Sequence, residues 1–197
     1  MTNDADWSSV STRPLRSAAD RGDRRALLRA GAGLALAGAA GLAALPARAN
    51  DLKVGQLAPP LELTTLVGHR IATRDLKGQV VIATFWATWC APCREELPML
   101  SAFAERYAAQ GLQVLGFSLD GPDKLAKVRA AAAELSFPVG LVGSPWVGGY
   151  GRIWRLPVSF VIDREGRLAH NGWDDEDPVL SNELLQRVVV PLLRAPT

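Results

Sequence analysis

The chain has 197 residues, 48% of them hydrophobic, and a formal net charge of +2 at pH 7. This length suits one folded domain with a single sizeable core. Residues 1–49 contain seven arginines and four aspartates, so the remainder is close to neutral, and it has no run of lysine or arginine. The composition therefore argues against a nucleic-acid-binding surface and against a polybasic patch for a membrane surface.

Residues 1–49 have the layout of an export signal. A polar, arginine-bearing start precedes the apolar segment Ala30–Leu45, and Ala47-Arg48-Ala49 is a small-x-small cleavage site. We expect cleavage after Ala49. An uncleaved membrane anchor is the second interpretation, because the apolar segment is shorter than the roughly 20 residues that a spanning helix needs. The pair Arg24-Arg25 resembles the twin-arginine signal of bacteria, with an ordinary secretion signal as the alternative, and the predicted location is the periplasm.

Strand and helix patterns alternate along the rest of the chain, from residue 50 to residue 197, which we predict to be one domain. An extended segment at 51–61 comes first. The predicted elements that follow are an edge hairpin at 61–73, a strand at 79–86, a helix at 91–109, a strand at 112–119, a helix at 122–135, strands at 137–142, 157–163 and 167–171, and a helix at 179–193. The continuous apolar run at 79–86 is typical of a strand buried on both faces. This order predicts an α/β fold with a central mixed sheet flanked by helices on both faces.

The chain contains two cysteines, Cys90 and Cys93, and they come directly after the predicted central strand, at the start of a helix. Free backbone N–H groups and the helix macrodipole stabilise a thiolate there, so Cys90 is the expected attacking sulfur and Cys93 the resolving thiol. A structural zinc ion would need four ligands, and a purely structural disulfide across so short a loop would remove little unfolded-state entropy. We predict a redox-active disulfide with no metal and no separate cofactor.

The segment around the cysteines resembles the active site of the TlpA/ResA-type members of the thioredoxin superfamily. The matching string is Phe85-Trp86-Ala87-Thr88-Trp89-Cys90-Ala91-Pro92-Cys93-Arg94-Glu95-Glu96-Leu97-Pro98. The resemblance extends through 114–120 and 156–166 and covers most of residues 57–193. It implies a thioredoxin fold with an N-terminal β-hairpin extension and a protein thiol-disulfide oxidoreductase activity.

The resemblance also implies a surface that contacts the client protein. Pro157 is expected to be a cis-proline facing the cysteines, and the backbone of Leu156 is expected to pair with the extended chain of the client. Leu156 is larger than the residue that such proteins more often have there. Trp89 and Pro92 belong to the motif and are expected to lie beside the client.

The resemblance further implies that Glu96 transfers protons at the site. The alternative is a solvated first-turn acid that only complements the helix dipole. Thr84 occupies the place where thioredoxin has a buried aspartate six residues before the first cysteine. Because threonine is not a base near neutral pH, proton handling is expected to shift toward Glu96 or water.

Together these features predict an extracytoplasmic reductant of specific client proteins, with cytochrome c haem-attachment cysteines or copper-site cysteines as the implied clients. A membrane thiol-electron donor would have to recharge it in an oxidising compartment, and a monomer is expected. Two alternatives remain open. One is a thiol peroxidase of the peroxiredoxin type, and the other is a metallochaperone that binds Cu(I) through the cysteine pair.

Overall fold

The structure is a computed structural model that describes residues 52–195, so the predicted export signal and its cleavage site lie outside the described residues. The elements in chain order are β1 (Glu62–Thr64), β2 (Arg70–Ala72), β3 (Val80–Trp86), α1 (Ala91–Tyr107), β4 (Leu112–Ser118), α2 (Leu125–Ala132), β5 (Val139–Leu141), β6 (Val158–Ile162), β7 (Leu168–Asn171), α3 (Asn182–Leu184) and α4 (Val190–Arg194). No helix within this part of the chain is both long and apolar enough to cross a bilayer.

The central sheet has five strands in the order β5-β4-β3-β6-β7. β3 runs parallel to β4, which runs parallel to β5, whereas β6 is antiparallel to both β3 and β7. All seven residues of β3 are buried, as the apolar run predicts for a central strand. The α/β class with a mixed central sheet is therefore confirmed, and the carboxyl end of β3 opens directly into the segment that carries the cysteines.

The two faces of the sheet are covered by different kinds of structure. The first face packs against α1, α2 and the C-terminal helix, and it includes Val80, Ile82 and Trp86 of β3. The second face includes Val81, Ala83 and Phe85, and it is covered by the lead-in segment, the hairpin and single 3-10 turns. Helices were predicted on both faces of the sheet, and on this second face the helical segments are 3-10 turns of three residues each. Each fully buried large apolar side chain contributes about 1.5–3 kcal/mol to this packing.

The predicted hairpin forms as β1 and β2 and docks beside the edge strand β5. The Leu66 N–H donates to the carbonyl oxygen of Val139 at 2.9 Å. The approach is close, because a Cβ atom on Gly140 would lie 2.0 Å from the backbone oxygen of Thr64. Position 140 therefore requires glycine, and the hairpin covers an edge that would otherwise expose unpaired backbone groups.

The C-terminal helix begins at Asn182 rather than at the predicted Val179. The two N–H groups just before this start are hydrogen-bonded to side chains instead. The Val179 N–H donates to Asp177, and the Leu180 N–H donates to Glu96. Residues Leu185–Val189 form a π-helical segment between α3 and α4. It directly precedes the α4 turn that contains Pro191, which has no N–H for a regular helical hydrogen bond. The predicted helix at 122–135 is also shorter, with a 3-10 turn at Pro122–Lys124 before α2.

Candidate active site

The two cysteines form a disulfide at the N-terminus of α1. Cys90 is the N-cap residue, and its sulfur accepts a hydrogen bond from the Cys93 N–H at 3.2 Å. Cys90 is 5% exposed and Cys93 is 0% exposed. The helix start directs the Cys93 N–H at the Cys90 sulfur and leaves Cys90 the more accessible of the two residues, which suits an attacking thiolate followed by a buried resolving thiol.

The loop that presents Cys90 is attached to the end of β4 by a buried carboxylate. Asp120 is 3% exposed and accepts hydrogen bonds from the Thr88 N–H at 2.7 Å, the Thr88 hydroxyl at 2.7 Å and the Ser118 hydroxyl at 2.8 Å. Because hydrogen bonds to a charged acceptor are strong, this contact fixes the backbone two residues before Cys90. In the sequence, Asp120 stands out only as the last residue of the matching segment 114–120. Its place after an apolar parallel strand was the one available signal.

The Leu156–Pro157 peptide bond is cis, as the resemblance implies. Pro157 is buried and immediately precedes β6, whose Val158 pairs with Phe85 near the carboxyl end of β3. The fold therefore brings this segment to the same end of the sheet as the cysteines. Leu156 is partly exposed and packs against the buried apolar residues on both faces of the sheet.

Trp89 and Pro92 lie at the surface on either side of Cys90. The Trp89 side chain is 68% exposed, so it does not pack into the core. Pro92 is exposed in the first turn of α1, where its missing N–H has no helical partner to lose. Both positions leave these side chains accessible to a bound protein segment.

Glu96 is a buried acid, contrary to the alternative of a solvated first-turn residue. It lies three residues after Cys93, is 3% exposed, and accepts a hydrogen bond from the Leu180 N–H at 2.7 Å. Burial is the main cause that raises the pKa of Glu96 to about 7, and the negative charge of Asp177 adds to this, whereas the hydrogen bond from Leu180 and the nearby Thr84 hydroxyl lower it. A carboxyl group with this pKa both accepts and releases protons near neutral pH.

The surroundings of Glu96 include buried oxygen atoms that lack a hydrogen bond of normal geometry. They are Oε1 of Glu96, Oγ1 of Thr84 and Oγ of Ser159, which lies opposite Thr84 in the pairing of β3 with β6. Such groups are ordinarily satisfied by buried water. Within residues 52–195 no group of three or more histidine, cysteine, aspartate or glutamate side chains is arranged to hold a metal ion.

Comparisons with known proteins agree with this geometry. The model of the AhpC/TSA family matches residues 54–171. The thiol-disulfide oxidoreductase ResA of Bacillus thuringiensis (strain Al Hakam) is 34% identical over 120 residues, which cover 60% of this chain and 69% of that protein. The thioredoxin-like protein YneN of Bacillus subtilis (strain 168) is 34% identical over 118 residues, 58% of this chain and 68% of YneN.

Solved structures give the same assignment. A thiol:disulfide interchange protein of the thioredoxin family from Chlorobium tepidum TLS superposes with a TM-score of 0.57 and 27% identity, covering 73% of this chain and 99% of that one. The sheet order, the helix-capping cysteine pair and these matches support a single assignment. The chain belongs to the AhpC/TSA family of thioredoxin-like proteins, as a thiol-disulfide oxidoreductase similar to ResA.

Proposed function

We propose that this oxidoreductase acts outside the cytoplasm as a reductant of disulfides in specific client proteins, with Cys90 and Cys93 as its reactive groups and no separate cofactor. The observation that carries the proposal is the cysteine pair at the start of α1, with the more accessible sulfur on the N-cap residue and a buried acid one turn further along. A reductant requires an attacking thiolate, a resolving thiol and a group that handles protons, and this short segment supplies all three.

The proposed reaction begins with the reduced protein. The Cys90 thiolate attacks one sulfur of the client disulfide, so a mixed disulfide forms and the other client sulfur leaves as a thiolate that takes up a proton. Glu96 accepts the proton of Cys93, and the Cys93 thiolate attacks the Cys90 sulfur. The second client sulfur leaves and is protonated. The client has then gained two electrons and two protons, and the protein holds the Cys90–Cys93 disulfide.

The proposed setting is the periplasm, reached through the signal at residues 1–49 by the twin-arginine route. The arginine pair and the small-x-small site in the sequence support this. In an oxidising compartment the pair needs a source of electrons, so a membrane thiol-electron donor is a proposed partner. Cysteines of cytochrome c haem-attachment sites or of copper sites are the proposed clients, and the proposed acting form is a monomer.

Two cysteine variants and a measurement of the reduction potential test the proposal. We expect Cys90→Ser to abolish disulfide exchange and Cys93→Ser to accumulate mixed disulfides with clients, because it retains the attacking sulfur and lacks the resolving one. The matched control is Ala102→Ser, which introduces a serine at an exposed position of the same helix, away from the cysteines. Equilibration with glutathione buffers is expected to give a reduction potential below roughly −220 mV, nearer to thioredoxin than to the oxidant DsbA. A potential near about −120 mV would contradict a reductant.

Two further assays address the alternatives. Consumption of hydrogen peroxide by the reduced protein, with a dithiol as electron donor, would favour a thiol peroxidase. Tight Cu(I) binding that requires both cysteines, combined with no exchange activity in any variant, would favour a metallochaperone. We expect neither result.

A further inference from the structure

Exposed tryptophans are concentrated at the active-site end of the sheet. The strand directions place the carboxyl ends of β3, β4, β5 and β7 and the amino end of β6 at this one end. Trp89 follows β3, and Trp146 and Trp154 lie in the connection between β5 and β6, with exposures of 68%, 63% and 70%. Large exposed apolar side chains grouped around a reactive centre indicate a surface for a partner rather than part of the core.

One of these tryptophans lines a defined pocket, which we call the indole pocket. Its volume is about 230 Å³, and its lining residues are Leu52, Trp154, Asn171, Trp173 and Asp174. The Trp154 and Trp173 rings stack with centroids 5.6 Å apart and an interplanar angle of 9°. Trp173 is held in place, because its indole N–H donates to the carbonyl oxygen of Tyr150 at 3.1 Å and its ring contacts the edge of Phe160. Trp173 therefore forms a fixed wall of the pocket, and the exposed Trp154 ring stacks on it.

The indole pocket also contains a negatively charged group, the carboxylate of Asp174. Asp174 is exposed, and its Oδ2 accepts one hydrogen bond, from the Asn171 amide at 3.1 Å, which leaves acceptor capacity on the carboxylate. Asp174 also begins the run Asp174-Asp175-Glu176-Asp177, and it is the member of that run that lines the pocket. An indole face and a carboxylate in one small pocket together favour a cation with an apolar stem.

A cation of the protein itself, Arg155, already lies against this pair of indole rings. The Arg155 guanidinium carbon lies 5.5 Å from the Trp154 ring centroid and 5.7 Å from that of Trp173. Arg155 also donates to the carbonyl oxygen of Gly172 and does not line the pocket. The indole faces are therefore suited to a cation, and the Asp174 carboxylate that lines the pocket offsets the nearby positive charge of Arg155.

We infer that the indole pocket binds a lysine or arginine side chain of the client protein, close to the client cysteine that Cys90 attacks. This inference rests on the proposed function and specifies its substrate class as basic, extended segments. Trp154 lies two residues before Leu156, so the chain distance between them is at most roughly 7 Å. A client segment that passes Leu156 can therefore reach the pocket with a side chain about three to five residues from its cysteine.

The test uses short neutral peptides whose single cysteine is blocked as a mixed disulfide with 2-mercaptoethanol. Each peptide carries either lysine or norleucine three, four or five residues to one side of the cysteine. The second-order rate constant for reduction by the reduced protein is measured at low and at high salt. We expect lysine to raise it roughly tenfold at the best position, with a smaller effect at high salt.

Matched variants assign that preference to the pocket. Trp154→Ala and Asp174→Asn are each expected to reduce the preference for lysine to about twofold or less, because each removes one of the two favourable interactions. Trp146→Ala removes an exposed indole at the same end of the sheet but outside the pocket, so it should retain the full preference. Equal rates for lysine and norleucine peptides at every position would overturn the inference, as would an unchanged preference in the two pocket variants.

Two readouts separate this inference from the proposed function. Reduction of the neutral disulfide bis(2-hydroxyethyl) disulfide reports exchange chemistry alone, so its failure contradicts the proposed function whatever the pocket binds. Titration with a cysteine-free lysine peptide, followed by the indole N–H resonances, reports the pocket alone. We expect the Trp154 and Trp173 resonances to shift and that of Trp146 to stay. No shift of the first two would overturn the inference even in a protein that is active in exchange.

Discussion

Replacing Asp120 with alanine removes the acceptor of three short hydrogen bonds that attach the Thr88 loop to the end of β4. Thr88 is partly exposed, so its N–H and hydroxyl groups can turn to water, whereas the Ser118 hydroxyl is fully buried and loses an acceptor. A bond to a charged group is worth about 1.5–3 kcal/mol, and breaking a buried charged network costs about 3–5 kcal/mol. With water replacing part of the Thr88 contact, we expect Asp120→Ala to lower the free energy of unfolding by about 3 kcal/mol.

Two companion variants test whether the loss of stability comes from the lost hydrogen bonds of Asp120. Asp120→Asn retains the shape and one strong acceptor, and the Thr88 hydroxyl can accept from the new amide, so the expected loss is about 1 kcal/mol. Asp123→Ala is the matched control, because Asp123 is exposed three residues further on and its ion pair is with the exposed Lys124 at 2.8 Å. Removing it should cause no measurable change.

The assay is urea unfolding of the oxidised protein at pH 7, with the slope of the transition compared between variants to confirm that the unfolded states are equivalent. The melting temperature should fall by about 6–12 °C in Asp120→Ala, since each kcal/mol corresponds to about 2–4 °C in a protein of this size. A loss below about 1 kcal/mol in Asp120→Ala would refute the view that this carboxylate anchors the loop before Cys90. An equal loss in Asp123→Ala would refute it as well.

Two further predictions concern buried polar groups. Burial raises the pKa of Glu96 from 4.5 to about 7, so between these pH values the unfolded chain has released a proton that the folded protein keeps, and stability falls as the pH rises. Urea unfolding from pH 4.5 to 7.5 should show a decrease about 3 kcal/mol larger in the wild-type protein than in Glu96→Gln, and parallel profiles would contradict this. The Tyr150 hydroxyl is buried without a protein partner for a hydrogen bond, and burial raises its pKa. Tyr150→Phe should therefore leave the free energy of unfolding unchanged or raise it by up to about 1 kcal/mol, and a clear loss in thermal unfolding would indicate a bound water instead.

The reactive pair and the strand that leads to it were predictable because their signals are local. The spacing of Cys90 and Cys93, the apolar run at 79–86 and the helix start that follows all lie within about one turn or one strand of each other. The hairpin was predictable for the same reason, since β1 and β2 are joined by a short loop that contains Gly68. Gly68 has a φ of 88°, a conformation that glycine adopts without strain.

The C-terminal helix shows where local pattern was insufficient. Its apolar spacing suited a helix from residue 179, yet the N–H of Leu180 is bound by Glu96, 84 positions earlier in the chain. The same contact helps to bury Glu96 and so participates in setting its pKa. Neither the helix boundary nor the character of the acid could be read from residues near them, because each depends on a partner that only the folded chain brings close.

The amino-acid sequence was sufficient to predict the chemistry of this protein, two thiols at a helix N-terminus after a buried strand, because residue type, spacing and periodicity specify those features without distant contacts. The groups that support and present the two thiols are brought together only in the folded chain. Asp120 reaches Thr88 across 32 positions, and the indole pocket joins Leu52 to Trp154 and to Asn171–Asp174. Such contacts depend on strand order and on the register of β6 with β7, which is set by the packing of the whole sheet rather than by any one segment.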